Sequence, residues 1–87
     1  MGIFHQSRFD EQLAELSSDL ASLHAALRYV EYQVSEFPES GVETVVPGIF
    51  RVRARLPCDG EMVHVAIFYT YDGSDSTFQR IVRDPHA

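Results

Sequence analysis

Lysine and tryptophan are absent from this chain, and cysteine occurs once, at Cys58. A single cysteine permits no internal disulfide, and a zinc site would need Cys and His ligands that are not clustered here. Apolar runs are short: none approaches the roughly 20 residues of a membrane span, and the N-terminus has no signal-peptide pattern. The expected location is cytoplasmic, with no membrane partner. Basic residues are few. All seven are arginine (Arg8, Arg28, Arg51, Arg53, Arg55, Arg80, Arg83), set against 13 carboxylates, for a formal net charge of −6. Such a balance argues against binding nucleic acid through bulk charge, because phosphate neutralisation needs a basic surface. No Gly-rich phosphate loop occurs, and the turn from Asp72 to Ser76 lacks the remaining ligands of a calcium loop. His5, His24, His64 and His86 show no metal-ligand spacing. Neither metal nor cofactor is expected.

What is present suffices for one small folded domain. Of 87 residues, 45% are hydrophobic and 11% aromatic, enough for a core and too apolar for a disordered acidic tail. The charge is unevenly spread. Up to Val42 there are two arginines against seven carboxylates; from Glu43 onward there are five against six. A local basic patch in the second half therefore remains open.

Residues 2–5 read as a short edge strand. Ser7 reads as a helix N-cap, with Asp10 three residues on as a weak capping box. Phe9, Leu13, Leu16, Leu20, Leu23, Leu27, Val30, Val34 and Phe37 then follow at alternating spacings of four and three, an unbroken heptad pattern. One straight helix over these residues would span about 43 Å, against a radius of gyration of about 12 Å for a compact chain of this size. The helix either breaks at Ser17-Ser18-Asp19, which the length favours, or runs straight and offers part of its stripe to a partner helix. Pro38 ends the helical region.

Beyond a linker over residues 38–48, the period changes to two. Residues 49–56 alternate Arg51, Arg53 and Arg55 with Phe50, Val52, Ala54 and Leu56. Pro57-Cys58-Asp59-Gly60 reads as a hairpin connection, residues 63–71 as a second strand and residues 76–83 as a third. The expected fold is α+β: a long helix or helical hairpin (residues 1–37) packed on a three- to four-stranded antiparallel sheet (residues 49–83).

Arg51, Arg53 and Arg55 stand on one strand face, where like charges repel and sheet propensity does not ask for them. They point either to a solvated, ion-paired face or to a surface for phosphate or carboxylate, which guanidinium groups grip with paired hydrogen bonds. His64 is expected on the same face, where positive neighbours favour the neutral imidazole that a general base requires. Arg80 and Arg83 lie on opposite faces by alternation, so at most one joins the triplet without a bulge. Cys58 sits in a turn with no neighbouring base, and Tyr29, Tyr32, Tyr69 and Tyr71 read as core or interface.

The order of these segments resembles the RelE/ParE superfamily of type II toxins. The resemblance is carried by Ser7-Arg8-Phe9-Asp10-Glu11-Gln12-Leu13, Ala26-Leu27-Arg28-Tyr29-Val30-Glu31-Tyr32, Pro38-Glu39-Ser40-Gly41, Pro47-Gly48, the arginine strand, Ile67-Phe68-Tyr69-Thr70-Tyr71-Asp72 and Thr77-Phe78-Gln79-Arg80-Ile81. It implies two helices on an antiparallel sheet whose exposed concave face binds the ribosome and messenger RNA, or gyrase in ParE-like members, and a cognate antitoxin peptide that wraps the toxin. Arg51, Arg53 and Arg55 match the family's basic residues on the first meander strand. Arg83 falls at a basic position after the last strand, Asp84 stands where members often carry arginine, and no tyrosine follows where RelE-like toxins carry a functional one.

Three functions follow as expectations. The first is a ribosome-dependent mRNA interferase, with Arg51, Arg53, Arg55 and Arg80 or Arg83 on phosphate and His64 or His86 moving protons. The second is a non-enzymatic protein-binding module that homodimerises through its heptad helix. The third is an acidic inhibitor presenting its carboxylate-rich helices to a basic partner.

Overall fold

A computed structural model describes residues 2–39 and 41–84. Strand β1 (Ile3–His5) leads into helix α1 (Ser7–Leu16) and helix α2 (Leu20–Glu36). Strands β2 (Val42–Glu43), β3 (Ile49–Cys58), β4 (Glu61–Tyr71) and β5 (Ser76–Arg83) follow. The strands form one sheet in the order β1-β5-β4-β3-β2.

The α+β class holds, whereas the sheet expected from sequence needs correction. It has five strands rather than three or four, and it is mixed: β1 runs parallel to β5, with Ile3 opposite Ser76 and His5 opposite Phe78. The long helical excursion between β1 and the meander permits this parallel pairing, which a tight turn cannot. The second addition, β2, lies inside the segment read as a linker and pairs Val42 with Arg51 and Glu43 with Phe50. Two residues are too few to show a period of two.

The heptad stripe breaks at Ser17-Ser18-Asp19, in line with the favoured reading. The molecule measures 36 Å along its longest axis, less than the straight helix would need. Asp19 caps α2 by accepting from the Ser22 backbone N–H (3.2 Å) and hydroxyl (2.7 Å). Helix α1 begins one residue earlier than read: Gln6 is its N-cap, with no side-chain cap hydrogen bond, and Ser7 is already helical. The Asp10 carboxylate instead meets His5 Nδ1 at 3.1 Å. His5 Nε2 stands 2.9 Å from Glu31 Oε1, and its ring stacks on Phe78, so this one imidazole ties β1 to both helices and to β5.

Both halves of the stripe pack on one face of the sheet. Phe9, Leu13, Leu23, Leu27 and Val34 are at most 1% exposed, against Leu56, Val65, Ile67, Tyr69, Phe78 and Ile81 from the strands. Only the stripe's margins stay open, with Leu20 at 40% and Phe37 at 65% exposure. Pairing two copies through this stripe would require unpacking the core, so the expected homodimer seam is not available as a surface.

The β3–β4 hairpin closes on Asp59-Gly60, both at positive φ (51° and 87°), the conformation a two-residue primed turn needs and an Asp-Gly pair supplies. Asp59 then reaches the break between the helices, where its Oδ1 accepts from the Ser17 hydroxyl, the Ser18 N–H and the Ser18 hydroxyl (3.1, 3.1 and 2.8 Å). These bonds hold the Asp59 carboxyl below its ordinary range, the Ser18 hydroxyl being the largest cause. Buried Ser17 is satisfied in return, accepting from the Asp59 and Asp19 N–H groups.

Candidate functional site

The helices cover one face of the sheet; the other carries the arginines. Alternation along β3 sends Phe50, Val52, Ala54, Leu56 and Cys58 inward and Arg51, Arg53 and Arg55 outward, and register with β4 and β5 arranges the outer residues in rows. Arg51 stands opposite Phe68, which stands opposite Arg80; Arg53 faces Ala66, then Val82; Arg55 faces His64. On its far side Arg51 faces Val42 of β2. The triplet, His64 and Arg80 thus share one open surface, as alternation suggested.

Arg83 does not join them. It pairs with Val65 on the helix side, and its charge acts on Cys58 and Asp59. The irregularity in β5 lies between Phe78 and Arg80, where Gln79 is the extra residue. It therefore precedes both arginines and leaves them on opposite faces. Arg83 is not part of the arginine surface, and His86, the other candidate proton carrier, lies outside the described residues.

The triplet is not electrostatically uniform. Arg53 Nε stands 3.0 Å from Asp84 Oδ2, with the carboxylate only 13% exposed. The Asp84 N–H donates to the His64 carbonyl at 2.9 Å, which carries the chain past the end of β5 and fixes this carboxylate beside the arginines. Arg53 is 54% exposed, so the pair contributes at most about 1 kcal/mol, yet it partly neutralises the centre of the patch. Among the described residues, Arg51, Arg55 and Arg80 form no ion pair. They keep open donor forks for an external anion.

Two hollows flank Phe68. One, of about 350 Å³, is lined by Val42, Glu43, Thr44 and Val45 with Arg51 and Phe68, so that one carboxylate stands in its wall. The other, of about 280 Å³, is lined by residues 44–46, Ile49, Phe68, Gln79 and Arg80. The connection between β2 and β3 overhangs both. It is held by Thr44 N–H to the Ile49 carbonyl (2.8 Å), Ile49 N–H to the Val46 carbonyl (3.2 Å) and Gly48 N–H to Glu43 Oε2 (3.1 Å). Gly48 sits at φ 83°, which lets the turn close. Val45 at its tip is 99% exposed.

Reasoning from sequence singled out the arginines and His64 but missed Phe68, Gln79 and Asp84. Phe68 had a signal, since it shares the parity of His64. Gln79 depends on the bulge and Asp84 on the path beyond β5, and neither is encoded in local pattern.

Elsewhere, burial pushes the Cys58 thiol up, which keeps it protonated and poorly nucleophilic at neutral pH. Among the described residues no group of three His, Cys, Asp or Glu side chains is placed to hold a metal ion, and no helix is long and apolar enough to cross a membrane. Comparison with protein-family models and with curated proteins returns no match.

Proposed function

We propose that this protein is a RelE/ParE-like toxin that binds messenger RNA on the ribosome through the arginine-bearing face of its sheet and cleaves it. One observation carries the reading: Arg51, Arg55 and Arg80 converge on a sheet face that neither helix covers, without carboxylate partners among the described residues. Two helices packed on the opposite face support this reading, while the sheet they cover is mixed where the resemblance implies an antiparallel one. In this reading Arg51, Arg55 and Arg80 hold successive phosphates, and exposed His64, beside Arg55, takes the proton of the attacking 2′-hydroxyl. The Arg55 guanidinium offsets the charge that builds on the phosphate as the 2′-oxygen closes a 2′,3′-cyclic phosphate and the 5′-oxygen leaves, protonated by solvent.

The test is controlled expression with a translation read-out. Wild type arrests growth with messenger cleavage, Arg51→Gln/Arg55→Gln relieves the arrest, and His64→Ala lowers cleavage by about 10²-fold or more. Normal growth with folded protein in the cells overturns the reading. A second reading, contact with a protein target in the manner of ParE-like toxins, is favoured by the Arg53–Asp84 pair. That pair lowers the net charge of the patch and suits a surface of mixed sign. Arrest without cleavage selects it.

A further inference from the structure

We propose that the row Arg51–Phe68–Arg80, with Gln79 beside it, is a nucleotide subsite: a base of single-stranded RNA stacks on Phe68 while Arg51 and Arg80 hold the flanking phosphates. The inference rests on the RNA reading above and deepens it. Phe68 is an aromatic ring on the face of a central strand that the helices leave open, half-buried beside the β2–β3 connection. The registers put a guanidinium on the neighbouring strand at each side, Arg51 on β3 and Arg80 on β5. Strands lie about 4.8 Å apart, so the backbones carrying the two arginines are roughly 10 Å apart with the ring between them. Each side chain is long enough to reach a phosphate on its own side of one nucleoside.

The hollows on either side of the ring leave room for the base and its sugar. Charge complementarity selects the occupant. An apolar peptide would leave two guanidinium groups unmatched, whereas a nucleotide supplies a flat apolar surface and flanking anions. Glu43, the one carboxylate lining the hollows, is held on the Gly48 N–H. Gln79 adds selectivity. The bulge brings this amide to the rim of the hollow beside Phe68 and Arg80, and it forms no side-chain hydrogen bond with a described residue. Its paired donor and acceptor are free for the edge of the stacked base.

Fluorescence anisotropy with a short, labelled single-stranded RNA tests the subsite. Phe68→Leu, which keeps an apolar side chain on the sheet, weakens binding about tenfold without changing the slope of log affinity against log salt. Phe68→Tyr retains wild-type affinity. Arg80→Gln or Arg51→Gln lowers the slope by about 0.7 for each phosphate no longer neutralised. Gln79→Ala narrows the difference in affinity between oligo(A) and oligo(U). Wild-type affinity in a folded Phe68→Leu variant, with the salt slope still reduced by Arg80→Gln, overturns the subsite and leaves the RNA reading standing. Absence of binding by folded wild type at low salt overturns the subsite, while the ribosomal reading is decided by the growth and cleavage assay.

Discussion

At the residue scale, most of the polar chemistry inside this small molecule joins segments distant in sequence. Tyr69 is fully buried on β4. Its hydroxyl donates to the Pro38 carbonyl at 2.8 Å and accepts from the Gly41 N–H at 3.1 Å, which pins the chain where it leaves α2 and approaches β2. Only glycine fits at position 41, because a Cβ would lie 2.6 Å from that hydroxyl and 2.9 Å from the Arg51 carbonyl. Tyr69→Phe leaves both backbone groups short of a partner and is expected to cost about 1–3 kcal/mol, read as a lower urea midpoint at unchanged slope. Because β2 forms the wall beside Arg51, the same variant should also weaken the RNA binding proposed for that face. Gln12 plays a comparable part on the far side, where its Oε1 accepts from the Ile81 N–H at 3.0 Å. It occupies a donor on β5 beyond the end of β1, which would otherwise be an open sheet edge.

At the element scale, one heptad stripe serves two helices that share a single sheet. Residues alternating at spacings of four and three can seam two chains or cover a sheet, and local spacing does not choose between them. The buried strand faces decide it, since Leu56, Val65, Ile67 and Phe78 need a cover that only α1 and α2 can supply. Leu27→Asp is therefore expected to unfold the monomer, placing a charge where the side chain is fully buried. Leu20→Asp, at the exposed start of α2, should change stability by about 0.5 kcal/mol or less. Thermal melts of the two variants distinguish this arrangement from a dimer seam, for which both substitutions would release monomers that remain folded. The break between the helices follows the same logic: Ser17, Ser18 and Asp19 were recognisable as capping residues, and Asp59 gives the two serines a partner from the hairpin.

At the scale of the whole molecule, acid stability depends on three turns. Asp19, Asp59 and Asp72 all lie below the ordinary carboxyl value of 3.8, held there chiefly by hydrogen bonds from Ser22, Ser18 and Asp75 respectively. A carboxyl lowered in the folded state takes up its proton more readily in the unfolded chain. Its contribution is complete above the unfolded value and disappears as pH falls through the folded one. Urea midpoints measured across pH should be level, as far as these groups are concerned, above about pH 5 and decline below about pH 4. Asp59→Asn should flatten that decline. An unchanged slope in the variant would show that the link between the hairpin and the helix break does not carry the acid sensitivity.

The α+β class, the helical stripe, the three meander strands and the grouping of Arg51, Arg53, Arg55 and His64 on one face were readable from the sequence, because periods of 3.5 and 2 are local properties of the chain. What covers the helical stripe, its division into two helices, the parallel pairing of β1 with β5, the short strand β2, the choice of Arg80 rather than Arg83 for the arginine face, the closure of Arg53 by Asp84 and the placement of Gln79 beside Phe68 were decided by the tertiary structure alone. Each depends on hydrogen-bond register or packing between segments tens of residues apart, and no periodicity within a segment reports the register of its neighbour.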